Sequence, residues 1–175
     1  MADDSPRMRI VMTAPVDSII AAATPWPHVR PLQPEDIPWL AAASWEAYQG
    51  GRGFETWDAA VASTQSIFTG RWGDFMPVAS PVGVTEDGYV AGVVATVQRI
   101  TIDDAPDSPF VLNCLTIPDH RRQGVASGLL AAAARAAKAV GEHALGLTVD
   151  EDNAGARALY EGLGFVEVSR GPEGS

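Results

Sequence analysis

Arg121, Gly124 and Ala126 sit in a polar turn, Pro118-Asp119-His120-Arg121-Arg122-Gln123-Gly124-Val125-Ala126-Ser127-Gly128, between an apolar stretch and an alanine-rich one. The first amides of a helix have no internal acceptors, point outward and carry partial positive charge. Such a turn suits a phosphate or diphosphate. Gly124 and Ala126 remove side-chain bulk, so an anion can reach the backbone, and Arg121 and Arg122 add charge-assisted bonds. The same pattern also fits a solvated helix start that binds nothing, with His120 facing water.

The second constellation is Asn153-Ala154-Gly155-Ala156-Arg157-Ala158-Leu159-Tyr160. At roughly 100° per residue, seven steps fall about 20° short of two turns, so Asn153 and Tyr160 share a helix face. Leu159 and Leu163 mark a neighbouring, core-facing stripe. Asn153 is a natural N-cap; it either only caps or also meets a ligand, and Tyr160 either only packs or acts. Cys114, the sole cysteine, excludes an internal disulfide. A lone strand cysteine is usually a small buried hydrophobe, and no histidine lies near it in sequence to activate it as a nucleophile.

The elements that must position these residues follow from patterning. Arg9 to Met12 reads as a short strand, and Pro25, Trp26 and Pro27 mark a turn or an extended link. Val29 to Leu32 is a first clear strand. Pro34, Glu35 and Asp36 open a helix to about Tyr48, and a second spans about Glu55 to Thr69, closed by Gly70. Val78 to Thr85 and Tyr89 to Arg99 flank the turn Glu86-Asp87-Gly88, and Phe110 to Thr116 completes a meander. Helices follow at Gly124 to Val140 and Asn153 to Leu163, with strands at Ala144 to Val149 and Phe165 to Val168. Gly164 falls where a left-handed cap is needed. The expectation is an α/β (α+β) fold: a mixed, mostly antiparallel sheet of about six to seven strands flanked by about four helices. The segments are 1–28, an extension that adds a strand; 29–170, one domain; and 171–175, a flexible tail.

Composition narrows the function. The chain has 175 residues, 46% hydrophobic and 19% charged, which is globular. With 12 basic against 22 acidic residues the net charge is −10, which argues against nucleic acid and allows attraction of a cationic acceptor such as an amine, or serves solubility alone. No apolar run approaches the roughly 20 residues of a bilayer span. Met1-Ala2-Asp3-Asp4 is no signal-peptide start, so a cytoplasmic protein is expected, with no membrane partner.

Together the two constellations resemble the GNAT N-acetyltransferases. The family's phosphate signature, Arg or Gln, two residues, Gly, one residue, Gly or Ala, reads here Arg121, Gly124, Ala126 and follows Cys114-Leu115-Thr116-Ile117-Pro118. The second signature reads Asn153, Ala156, Leu159-Tyr160, Gly164-Phe165. The match runs from about Tyr89 to Val168; from Val29 to Val84 it rests on element order, and residues 1–28 add nothing to it. The resemblance implies acetyl transfer from acetyl-CoA to an amine, on a small molecule or a peptide, by direct attack and without a metal. It implies that the backbone of Cys114, Leu115 and Thr116 pairs with the pantetheine arm, and that Arg121 and the amides of Arg122, Gln123, Gly124, Val125, Ala126 and Ser127 hold the diphosphate. Asn153 would contact the cofactor. Tyr160 would protonate the departing thiolate, as a phenol with a pKa near 10 can.

Two departures stand out. Many relatives carry a carboxylate on the central strand where this chain has Asn113, and the base is open among Glu46, Asp74, Asp150 and a water chain. The family usually ends in a hairpin, yet only Phe165 to Val168 follows the last helix. Arg9 to Met12, or a second subunit in a homodimer, is expected to fill the gap. Trp39, Trp45, Tyr48, Phe54, Trp57, Trp72 and Phe75 fall in the region expected to wall the acceptor site, where they pack the helices or line a pocket for a bulky apolar amine. The rival reading is a catalytically inactive acyl-CoA-binding sensor or regulatory module.

Overall fold

The computed structural model describes residues 7–47 and 54–172. In chain order these form β1 (Met8–Pro15), α1 (Val16–Ala22), β2 (Val29–Pro31), α2 (Ile37–Ala47), α3 (Trp57–Ser66), β3 (Pro81–Val84), β4 (Val90–Val97), β5 (Phe110–Thr116), α4 (Val125–Ala139), β6 (Ala144–Asp150), α5 (Ala154–Gly162) and β7 (Val166–Pro172). One seven-stranded sheet runs β2-β3-β4-β5-β6-β1-β7. Every pair is antiparallel except β5–β6, which is parallel. The mixed sheet covered by helices is the one the patterning predicts.

Residues 1–28, whose patterning is ambiguous, contribute β1 and α1. Strand β1 lies between β6 and β7, pairing Arg9 with Asp150 on one side and Gly171 on the other. Its alternation serves two cores: Ile10 and Met12 enter the cluster built with α4 and α5, whereas Val11 enters the one with Val97 and Phe110 on the opposite face. Pro15, which interrupts the apolar pattern, ends the strand with φ −58°, and α1 starts immediately after it.

One side of the sheet carries α1, α4 and α5 over Leu129, Leu130, Leu145 and Phe165. The other carries α2 and α3, with Leu40, Ile67, Val82 and Val93 buried between. The alanines of α4 bring it close to the sheet. A Cβ on Gly92 of β4 would lie 2.7 Å from Leu115 O and 2.8 Å from Val125 Cγ1, so only glycine lets the first turn of α4 rest there. At the start of α2 a buried Asp36 gathers donors: Arg30 Nη1 and Nη2 at 2.8 and 2.7 Å, Trp39 Nε1 at 2.7 Å and the Gln33 amide at 2.9 Å. The acids foreseen for this helix start thus include one that is structural. Tyr48, foreseen at its end, lies outside the described residues.

Candidate active site

The site begins where β5 and β6 part. They pair only at Phe110–Gly146 and Val111–Leu147. Beyond this the edge of β5 from Leu112 to Thr116 has no strand partner on the β6 side, while its other edge stays paired with β4. A strand edge with unpaired amide and carbonyl groups can accept an extended ligand. A bulge lies opposite the step from Ala95 to Thr96, where Ala95 faces Asn113 and Thr96 faces Val111. Leu112 is the extra residue, and it changes the alternation of β5. Val111 and Cys114 pack toward α4 and α5, Leu112 and Leu115 toward α2 and α3. Asn113, next to Cys114 in the resumed alternation, faces the α2–α3 side.

Beyond β5 the backbone turns through Pro118–His120 into α4. Arg122 has φ 61° and Gly124 φ 77°, both left-handed. The first hydrogen bond of the helix runs from the Gly128 amide to Gly124 O, at 2.9 Å. Among the described residues the amides of Arg122 to Ser127 make no hydrogen bond within the protein, and the segment Arg121–Gly124 is exposed. Six consecutive free donors at a helix start can cradle an anion. Gly124 is required by its backbone angle, since a Cβ there would meet nothing closer than Ser127 Oγ at 3.8 Å. His120 is partly buried in the preceding turn.

A cleft of about 550 Å³ opens at the fork. Cys114, Asn153 and Tyr160 line it together. Asn153 Oδ1 caps α5 by accepting from the Ala156 amide at 3.2 Å. The Tyr160 ring is buried edge-to-face against Phe165, with centroids 5.8 Å apart. Burial of the Cys114 thiol pushes its pKa up to about 12, and a hydrogen bond from Tyr160 only partly offsets this. The residue keeps some surface on the cleft, but the sulfur itself is desolvated. A thiol held so firmly protonated is a poor nucleophile.

Residues 121–127, expected to hold a diphosphate, do not line this cleft; they lie past the end of β5. Of the carboxylates considered as bases, Asp150 lines the cleft, while Glu46 and Asp74 are exposed elsewhere. Of the aromatics, Phe54 and Trp72 line it, Trp72 donating from Nε1 to Ser66 Oγ at 2.9 Å. Trp39 serves Asp36, Trp45 and Trp57 pair edge-to-face, and Phe75 packs on Phe68. Patterning gave no sign of Ser44, which is buried on α2 and whose Oγ, like Asn113 Oδ1, has no hydrogen-bond partner among the described residues. Nor did it point to Arg7 and Arg9, which reach the cleft only through the placement of β1.

A mixed sheet forked beside a helix start with free amides, with a tyrosine at the fork, is the fold class of the acyl-CoA N-acyltransferases. The acetyltransferase (GNAT) family profile matches residues 40–165, and the chain belongs to that family. Solved structures agree in fold. The GCN5-related N-acetyltransferase from Sphaerobacter thermophilus has a TM-score of 0.61 at 22% identity, covering 94% of this chain and 50% of its own. The ribosomal-protein-S18-alanine N-acetyltransferase from Escherichia coli has a TM-score of 0.59 at 25% identity, over 81% of this chain and 79% of its own. The aminoglycoside N-acetyltransferase AAC(6')-Iy, solved with CoA, has a TM-score of 0.60 at 19% identity, over 81% and 89%. Four structures matched over 94–95% of this chain are longer proteins, of which it spans 49–62%. No curated protein matches the chain at a significant level. No helix among the described residues is long and apolar enough to cross a membrane.

Proposed function

We propose that the protein transfers an acetyl group from acetyl-CoA to an amine. The observation that carries this reading is the parting of β5 and β6, which leaves the edge of Leu112–Thr116 open between the cradle at 122–127 and the Tyr160 hydroxyl. Acetyl-CoA supplies an activated thioester. Exposed Arg121 and the free amides of Arg122 to Ser127 suit its diphosphate, and the open edge at Cys114, Leu115 and Thr116 suits the amide-bearing pantetheine arm. The Asn153 side chain, on the cleft wall, is available beside its capping role.

The amine attacks the carbonyl carbon, forming a C–N bond as the C–S bond breaks. Strand amides near Cys114 stabilise the developing oxyanion. Tyr160 holds a proton at Oη for the leaving sulfur, and Asp150 is the cleft carboxylate able to take the proton the amine gives up. No covalent enzyme intermediate forms, because Cys114 is kept as a thiol. The acceptor arrives from the α2–α3 side and meets the acetyl group in the cleft.

The test is thiol release from acetyl-CoA with a panel of amines, alongside calorimetric binding of acetyl-CoA. Acceptor-dependent release supports transfer. Tight binding with no release across a broad panel would favour the acyl-CoA sensor, and absence of binding would remove both.

A further inference from the structure

The cleft's charges and orphaned polar atoms describe its acceptor. Resting on the proposed acetyl transfer, we infer that the acceptor is a small amine that also carries a carboxylate: a free amino acid with an apolar side chain.

Among the described residues, three charged side chains line the cleft: Arg7, Arg9 and Asp150. Two cations face one anion, in a chain whose net charge is −10. Directly paired residues on adjacent strands put their side chains on the same face. Arg9 and Asp150 are such a pair, joined by an ion pair of 3.5 Å. Two residues along, Val11 packs on the α2–α3 side, so Arg9 and Asp150 face the same side as Asn113. Arg7 makes no ion pair among the described residues. It supplies the surplus positive charge, and a guanidinium matches a carboxylate through two parallel hydrogen bonds.

Ser44, also on the cleft, is 3% exposed, and its Oγ and the Oδ1 of Asn113 are both buried without partners among the described residues. Buried polar atoms are normally satisfied, so two orphans in one cleft point to a ligand that supplies the missing hydrogen bonds. Asn113 Oδ1 can only accept, which suits an N–H of the acceptor amine. The same cleft is lined by apolar Phe54, Ile67, Trp72, Ile100 and Ile102. The cleft therefore offers an acceptor for the amine, an apolar wall for a side chain and guanidinium groups for an anion. A polycationic amine would meet Arg7 and Arg9 within a screening length of roughly 8–10 Å and be disfavoured.

The experiment uses the full chain saturated with acetyl-CoA. Calorimetry measures binding of L-leucine, L-phenylalanine and L-tryptophan, of the corresponding amino-acid amides, and of the polyamine spermidine; thiol release is followed in parallel. At least one acid is expected to bind about 10-fold or more tighter than its amide. Arg7→Gln is expected to bring the two within about 2-fold, with acetyl-CoA affinity and melting temperature unchanged. The inference is overturned if no acid binds, if an amide or spermidine binds as well as the best acid, or if a folded Arg7→Gln keeps the preference. The wild-type acid-to-amide ratio decides the matter even if the variant does not fold. Acid-selective binding without thiol release keeps the inference and removes acetyl transfer, whereas release driven by amides or spermidine does the reverse.

Discussion

The Tyr160 hydroxyl, carried by α5, hydrogen-bonds the Cys114 thiol on β5, at the point where β5 has parted from β6. The contact joins a helix signature to a strand with no recognisable signature of its own, and it puts a phenolic hydroxyl at the fork. Burial holds Cys114 protonated while Tyr160 donates to it. The pair therefore offers a proton donor and no thiolate.

Replacing Tyr160 by Phe is expected to lower kcat by roughly 100- to 10,000-fold, the range for loss of a general acid. The Kd for acetyl-CoA should change little, because the cradle amides are untouched. An unchanged kcat would remove Tyr160 from proton transfer.

Cys114→Ala is expected to retain turnover within about 5-fold. With a pKa of about 12, the thiolate fraction at pH 8 is on the order of one in 10,000, so iodoacetamide should label the native protein far more slowly than the unfolded chain. Rapid labelling at pH 8, or loss of all turnover in the alanine variant, would restore a nucleophilic role.

Gly124→Ala places a Cβ on a residue with φ 77°, where a left-handed conformation costs an L-residue about 1–2 kcal/mol. The turn relaxes at the expense of the cradle, and acetyl-CoA affinity should fall about 10-fold, measured by calorimetry. The side chain itself meets open space, so a normal affinity would mean that these amides do not hold the diphosphate.

Burial alone would raise the pKa of Asp36, but hydrogen bonds from Arg30, Trp39 and the Gln33 amide outweigh it and lower the value from 3.8 to about 2. The folded state thus binds its proton less readily than the unfolded chain. The stability Asp36 contributes is present above pH 4 and is lost as the pH falls toward 2. Asp36→Asn should lower stability at pH 7 by about 2 kcal/mol and flatten the acid limb between pH 4 and 2, read by denaturant unfolding across pH.

Strand β1 is buried on both faces through Ile10, Val11 and Met12. Ile10→Ala should cost about 2–5 kcal/mol. Deleting residues 1–15 should expose the facing edges of β6 and β7 and yield aggregates by light scattering. A stable, monomeric deletion protein would show that β1 is dispensable.

What the sequence alone determined is local. The polar turn that opens α4, the N-cap at Asn153, the left-handed Gly164 and the strand Phe110–Thr116 each depend on residues within about one or two turns of chain, where backbone angles and side-chain spacing are read directly. The tertiary structure decided what depends on distant partners. Arg9 and Asp150 are 141 positions apart and meet only because β1 enters the sheet between β6 and β7. Ser44 and Asn113 become orphans of one cleft only because the bulge at Leu112 turns Asn113 toward α2 and α3. Strand pairing is long-range and weakly encoded in any one segment, so the half of the cleft proposed to meet the acceptor had to await the fold.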